Sequence, residues 1–260
     1  MNSPDDVKAQ AQQRFGAFAH EYVTSTVHAQ GEDLDRLAAL AAPQPGWLAL
    51  DVATGGGYTA LRLAPQVARV VACDLTPAML AAARAFTTGQ GARNLVFTAG
   101  DAEHLPFRDG VFDLVTCRIA PHHFPDCFRF VQECARTLKP GGRLAVQDQL
   151  LPDEPRAARY IDSFERLRDP SHHRAFDEHE WRGMFLDAGL QVAAVERCAR
   201  PANLLSWARV QNCSPAVVAR LQVMLAQAPA AVRDWMHPRC AGTPDAAFDH
   251  IHILILGIKP

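Results

Sequence analysis

The chain has 260 residues, 48% of them hydrophobic and 21% charged, which is enough apolar material for one sizeable core but too short a chain for two full enzyme domains. With 26 basic against 28 acidic residues, a formal charge of −2 and no dense Lys/Arg run, it carries no electrostatic footprint for nucleic acid or anionic lipid, so a small-molecule partner is expected. Seven scattered cysteines without a C-x-x-C pair suggest neither a disulfide framework nor a zinc site, and reduced thiols and no metal are expected.

In chain order, the opening MNSPDDVKAQAQQRF is polar and lacks a signal-peptide core, and no run of about 18 apolar residues follows anywhere, so a cytoplasmic protein without a membrane span is expected. Residues 5–42 read as two helices, the first placing Phe15, Phe18 and Tyr22 on one face at spacings of three and four; residues 1–44 thus form a helical cap. From Gly46 to Leu150, strands at Trp47–Val52, Val67–Asp74, Leu95–Ala99, Phe112–Arg118 and Arg143–Gln149 alternate with helices near 58–64, 77–90 and 126–138. That alternation predicts an α/β fold with a parallel sheet flanked by helices. The third helix is expected to run to Lys139, with Pro140-Gly141-Gly142 as its stop. Beyond Leu150 come a charged, proline-punctuated stretch, a helix at 178–188, a strand at 190–197, short helices over 203–236 and an apolar strand at His252–Ile258. Residues 45–260 therefore read as one domain with cap insertions near 152–177 and 200–247.

The most informative segment is LALDVATGGGYTALRLA, an apolar strand ending in Asp51 that passes through Gly55, Gly56 and Gly57 into a helix. Glycines there let backbone amides approach a ligand closely. Gly55-x-Gly57-x-x-Ala60 also satisfies the looser dinucleotide fingerprint, so these residues alone leave an NAD-dependent oxidoreductase open. Asp74, closing the next strand, can accept hydrogen bonds from both hydroxyls of a ribose, a need common to several nucleoside cofactors.

Three further segments decide between the readings: Ala99-Gly100-Asp101-Ala102-Glu103 with Leu105-Pro106-Phe107; Phe112-Asp113-Leu114-Val115; and Phe130-x-x-Glu133-x-x-Arg136-x-Leu138-Lys139-Pro140-Gly141-Gly142-Arg143-Leu144. With the glycine loop they resemble, in order, the class I S-adenosylmethionine-dependent methyltransferases, in particular the group of ubiquinone/menaquinone C-methyltransferases and bacterial small-molecule methyltransferases. The resemblance implies a Rossmann-like, seven-stranded, mostly parallel sheet with helical caps at the N-terminus and after strands five and six. It implies S-adenosylmethionine as cofactor and transfer of its methyl group to an O, N or C atom of a small-molecule acceptor. By the same resemblance Asp51, Ala53, Gly55 and Gly57 hold the methionine part, Asp74 with Leu75 the ribose, and Asp101 with Ala102 the adenine; Met79 and Arg118 fall on the cofactor side. Tyr22 and Phe15 read either as helix-packing residues, the commoner fate of an aromatic stripe, or, for Tyr22, as closing over the sulfonium. Ala53-Thr54 departs from the commonest D-x-G-x-G-x-G pattern, though small residues persist where the ligand must approach.

Acceptor-side candidates are fewer. His122 and His123 follow the fourth strand, whose end faces the ligand crevice of an open α/β sheet, so either suits orienting a substrate or taking its proton near neutral pH; a histidine capping Phe124-Pro125 is the structural alternative. Asp148 at the end of the fifth strand, Arg168 and His172 in the insertion, and His28 in the N-terminal cap complete the substrate-side set. A homodimer and a cofactor-binding protein without catalysis remain open alternatives.

Overall fold

The computed structural model describes residues 4–17 and 32–260. One seven-stranded sheet forms the centre, from β1 (Leu48–Val52), β2 (Arg69–Asp74), β3 (Leu95–Ala99), β4 (Phe112–Arg118), β5 (Leu138–Gln149), β6 (Gln191–Asn203) and β7 (Ala247–Ile258), in the order β3-β2-β1-β4-β5-β7-β6. All neighbours run parallel except β7, which is antiparallel to both β5 and β6. The mostly parallel, Rossmann-like arrangement expected from the sequence is the one found.

Ten α-helices among the described residues flank the sheet. On one face α2 (Glu32–Ala41) and α3 (Tyr58–Leu63) bury Leu37, Ala41, Ala60 and Leu63 against Ala49, Val70 and Leu254. On the other, α5 (Cys127–Thr137) and α7 (Glu178–Asp187) place Phe130, Trp181 and Phe185 over Val115, Val146 and Ile255. Local chemistry sets the starts: Asp126 accepts from Arg129 N to open α5, and Asp177 with Glu180 forms a capping box on α7. Pro77 occupies the first turn of α4 (Pro77–Gly89), where its missing N–H costs nothing.

A second core stands apart from the sheet centre. The helices α6 (Pro155–Arg168), α8 (Leu204–Val210), α9 (Pro215–Ala226) and α10 (Ala230–Met236) gather Phe164, Trp207, Leu221, Val232 and Phe248 into it. Among the described residues no single helix is long and apolar enough to cross a membrane.

Three boundaries differ from the sequence reading. The helix expected to reach Lys139 ends at Thr137, because Leu138 already pairs with Phe112 in the sheet. Gly142 is required there: a Cβ would lie 2.8 Å from Lys139 O and 3.2 Å from Phe112 O. The last two strands are longer than expected, starting at Ala247 and ending at Asn203, since each supplies the other with hydrogen-bond partners along the whole of its length. α1 (Pro4–Ala17) carries Phe15; Phe18 and Tyr22, expected on the same face, lie outside the described residues.

Candidate functional site

A cavity of about 380 Å³, a size usual for small-molecule sites, opens along the C-terminal edge of the sheet beneath α1 and α8. It sits where β1 has β2 on one side and β4 on the other, the point at which successive crossovers change direction and loops part.

At its β1–β3 end the backbone turns tightly. Ala53 and Gly55 both adopt left-handed conformations, with φ of 51° and 52°. Asp51 fixes this turn from below: its carboxylate accepts from Thr54 Oγ1 at 2.6 Å and from Thr116 Oγ1, on the adjacent strand, at 2.8 Å. Asp51 is buried and does not line the cavity; burial pushes its pKa up to about 6 despite the hydroxyl hydrogen bonds that favour the charged form. Gly57 does not line it either. With φ of 83° it opens α3, and a Cβ there would stand 3.0 Å from Thr87 Cγ2 and 3.2 Å from Ala83 Cβ, so the glycine serves packing of α3 on α4.

Asp74 does face the cavity, bracing the loop as it does so: its carboxylate accepts from Gly55 N and Thr76 N, each at 2.9 Å. Burial raises its pKa against those backbone hydrogen bonds. Ala53, Gly55, Leu75, Met79, Asp101, Ala102 and Arg118 join it in the lining. Asp101 is met by Lys8 of α1, whose Nζ lies 2.7 Å from Asp101 Oδ2 and 2.5 Å from Glu103 Oε2. Burial would raise the Asp101 pKa, but Lys8 outweighs it and holds the carboxyl below its ordinary value. Gln12 donates to Leu75 O at 2.9 Å, so α1 spans this end of the cavity from two anchor points.

The opposite end is built after β4. Ile119 adopts φ of 54°, an unusual conformation for a β-branched residue, and turns the chain into a 3-10 segment at Pro121–His123. This brings His122 back over β5, where Asp148 Oδ1 lies 2.7 Å from its Nδ1 and Asp148 Oδ2 accepts from its backbone N–H at 2.7 Å. The carboxylate can only accept, so Nδ1 carries the proton and Nε2 is the remaining ring nitrogen. Burial alone would lower the His122 pKa; Asp148 outweighs it, and the pKa is raised. His123 donates from Nδ1 to Ser171 O at 3.0 Å, and burial together with the charge on His122 pushes it down, so it is neutral. Two adjacent histidines are thereby shifted in opposite directions, His122 upward and His123 downward.

His122, His123 and Arg168 line the cavity, whereas Asp148 and His172 stand behind them. His172 stacks on His122 with ring centroids 5.3 Å apart and places Nε2 2.7 Å from Asp162 Oδ1. Arg168 donates to Trp207 O at 3.1 Å and lies 4.4 Å from the centroid of that indole. Arg118 donates to Asp33 Oδ2 at 2.6 Å and Gln147 Oε1 at 3.0 Å. Tyr22 and His28 lie outside the described residues.

The sequence reading missed Lys8, Gln149, Arg200, Trp207, His250 and His252, all in the lining. The strand alternation Phe248-Asp249-His250-Ile251-His252 would have put both histidines on one face, had the strand not been started at His252. Arg200 pairs with His250 across the last two strands, and the shortened reading of β6 removed it in the same way. Nothing local marks Lys8, which reaches Asp101 from 93 positions away.

Comparison with known proteins agrees with this geometry. Residues 50–146 match the family model described as a methyltransferase domain. The uncharacterized methyltransferase YcgJ of Bacillus subtilis is 37% identical over 193 residues, covering 74% of this chain and 76% of its own length. The crystal structure of that Bacillus protein superposes with a TM-score of 0.84 at 33% identity, covering 88% of this chain and 98% of its own. The Escherichia coli protein YafE is 33% identical over 66% of this chain and 83% of its own length. A demethylmenaquinone methyltransferase of Corynebacterium kroppenstedtii is 38% identical over 44% of this chain and 46% of its own.

Proposed function

This chain belongs to the class I S-adenosylmethionine-dependent methyltransferase family, and from that premise we propose that it moves the methyl group to a small molecule held against His122 and His123. The carrying observation is the pairing of His122 with Asp148 in a cavity that also takes in the glycine loop, Asp74 and Asp101.

The residues present fit the cofactor that the family implies. A bare backbone turn at Gly55 and a buried carboxylate at Asp74 share one wall of a cavity of adequate size, and the apolar Leu75 and Met79 lie beside them. Gly55 and Ala53 would hold the methionine part, Asp74 the ribose, and Asp101 with Ala102 the adenine, while Asp51 and Gly57 shape the loop from behind. When bound, S-adenosylmethionine supplies a methyl group already activated by its sulfonium.

The protein then needs to orient an acceptor, exclude water and manage one proton. α1, anchored through Lys8 and Gln12, covers the cavity. Asp148 fixes the His122 ring so that Nε2 is left to take or share the acceptor's proton, and it stabilises the imidazolium that results. Neutral His123, with Nδ1 committed to Ser171 O, offers Nε2 as a hydrogen-bond acceptor that orients an O–H or N–H.

The test is transfer of label from methyl-labelled S-adenosylmethionine into a small-molecule fraction of a cell extract, with S-adenosylhomocysteine binding measured by calorimetry. His122→Ala is expected to slow transfer about 100-fold, the usual worth of a positioned acid or base, with binding unchanged. Binding without transfer into any fraction would leave a non-catalytic binder, and no binding at all would break the reading.

A further inference from the structure

The cavity's charges are arranged differently at its two ends. Where the cofactor is placed, carboxylates form the wall itself: Asp74, Asp101 and Glu103. At the other end the wall presents His122, Arg168 and Arg200, and the carboxylates paired with His122 and Arg200 stand one layer back. Asp148 lies behind His122 at 2.7 Å, and Asp33 lies behind Arg200 at 3.8 Å while also receiving Arg118 at 2.6 Å. Neither Asp148 nor Asp33 lines the cavity. Asp169 does, with its carboxylate already engaged: it accepts from Ser171 N, Ser171 Oγ and Gln211 Nε2 and lies 3.4 Å from Arg14.

Such layering has a physical consequence. A cation backed by a carboxylate is held in place and kept charged, but a ligand entering from the cavity meets the cation first, at a shorter distance and without intervening water. Asparagine and serine donors at Asn203 and Ser206 line the same end, and the rings of Phe15, Phe124 and Trp207 give it apolar walls.

We propose that the methyl acceptor is an aromatic-sized molecule bearing an oxyanion, a carboxylate or phosphate, which Arg168 and Arg200 receive at the end of the cavity away from Asp74, beside His122. The inference rests on the methyltransferase reading and adds the acceptor's chemical class. Arg168 and Arg200 become specificity-determining residues: guanidinium groups suit planar or tetrahedral oxyanions through paired N–H donors.

The probes are benzoate, phenyl phosphate, benzyl alcohol and benzylamine, followed by the change in tryptophan fluorescence and by calorimetry, with and without saturating S-adenosylhomocysteine. One or both anions should bind about tenfold more tightly than the alcohol or the amine, and Arg168→Met and Arg200→Met should each reduce that affinity about tenfold, the scale of one charge-assisted contact. Preference for benzoate over phenyl phosphate would identify a carboxylate, and the reverse a phosphate ester. Equal or tighter binding of benzyl alcohol or benzylamine, absence of anion binding, or anion affinity unaffected by both substitutions would overturn the proposal. Binding of S-adenosylhomocysteine to the same samples is a separate readout: its loss breaks the cofactor reading, while its retention with no anion preference breaks only the acceptor class.

Discussion

The two ends of the cavity are made differently. The glycine-loop end comes mostly from residues 51–103, a stretch in which β1 and β2 are each followed by a turn and helix and β3 by a turn alone, and its ligand-facing groups are backbone turns and carboxylates. The histidine end draws on β4, β6, β7, α6 and α8, with donors from residues 118 to 252 meeting only after an antiparallel pair has closed the sheet. Local backbone geometry demands particular residues at particular spacings, whereas a wall of side chains can be assembled from any strand that ends nearby. Most of the first end can therefore be read from neighbours in sequence, whereas much of the second shows only from neighbours in space.

The sharpest way to break this contrast is to remove a group from one end and look for an effect at the other. Asp74→Ala is expected to lower S-adenosylhomocysteine affinity about 100-fold, close to the ~3 kcal/mol lost with two hydrogen bonds to a charged group. Benzoate affinity should stay within about twofold, as for sites without shared partners. A fall of less than about threefold for the nucleoside would reduce Asp74 to a brace for Gly55 and Thr76.

The next effect is one of pH at the glycine-loop end. Asp51 keeps its proton up to about pH 6 in the folded chain, higher than an ordinary carboxyl does when unfolded. Its contribution to stability is therefore whole below about pH 4 and is lost as the pH rises through 6, by roughly 3 kcal/mol in all. Asp51→Asn, which carries no charge to bury, should flatten that part of the curve in urea titrations run on both sides of the window. A wild-type slope that survives the substitution would mean that other groups set it.

At the histidine end the corresponding change is smaller. Asp148→Asn keeps an acceptor for the His122 backbone amide but removes the charge, and the His122 pKa should fall. Imidazole NMR shifts followed with pH measure it, and S-adenosylhomocysteine affinity should not move. An unchanged His122 titration would mean that Asp148 positions the ring without tuning it.

What was legible in the sequence follows the same division. The parallel half of the sheet, the glycine loop, Asp74 and Asp101 could all be located from residue order, and the structure places the last two on the cavity wall. Yet much of the motif pattern that carried the family resemblance is scaffold. Lys139 Nζ clasps Asp113 at 2.8 Å, and Asp113 in turn accepts from Leu48 N at 2.9 Å. Arg136 donates to Phe107 O at 2.8 Å, while Glu133 accepts from Leu105 N at 2.9 Å, fixing the loop that follows Asp101. Arg200 and His250 were invisible because their strands were read too short, and Lys8 because ion pairs across 93 residues leave no local trace. Asp148 and His172, expected on the substrate side, are set by burial behind His122, where they act on that ring.

The smallest effect concerns the one residue of the glycine loop that departs from the commonest pattern. Ala53 holds φ of 51° without being glycine, and its methyl group is pressed toward the neighbouring carbonyl in that conformation. The strain of about 1 kcal/mol is sustained because Thr54 is tied to Asp51 at 2.6 Å on one side and its own N–H to Cys73 O at 2.9 Å on the other. Ala53→Gly should relieve the strain and, after allowing for the greater freedom of glycine in the unfolded chain, raise stability by up to ~1 kcal/mol in urea denaturation. If the loop is held by these side-chain ties, S-adenosylhomocysteine affinity will stay within about twofold. A loss of affinity alongside the gain in stability would instead show that the strained alanine helps to hold the loop in its binding shape, and that this end too depends on one side chain.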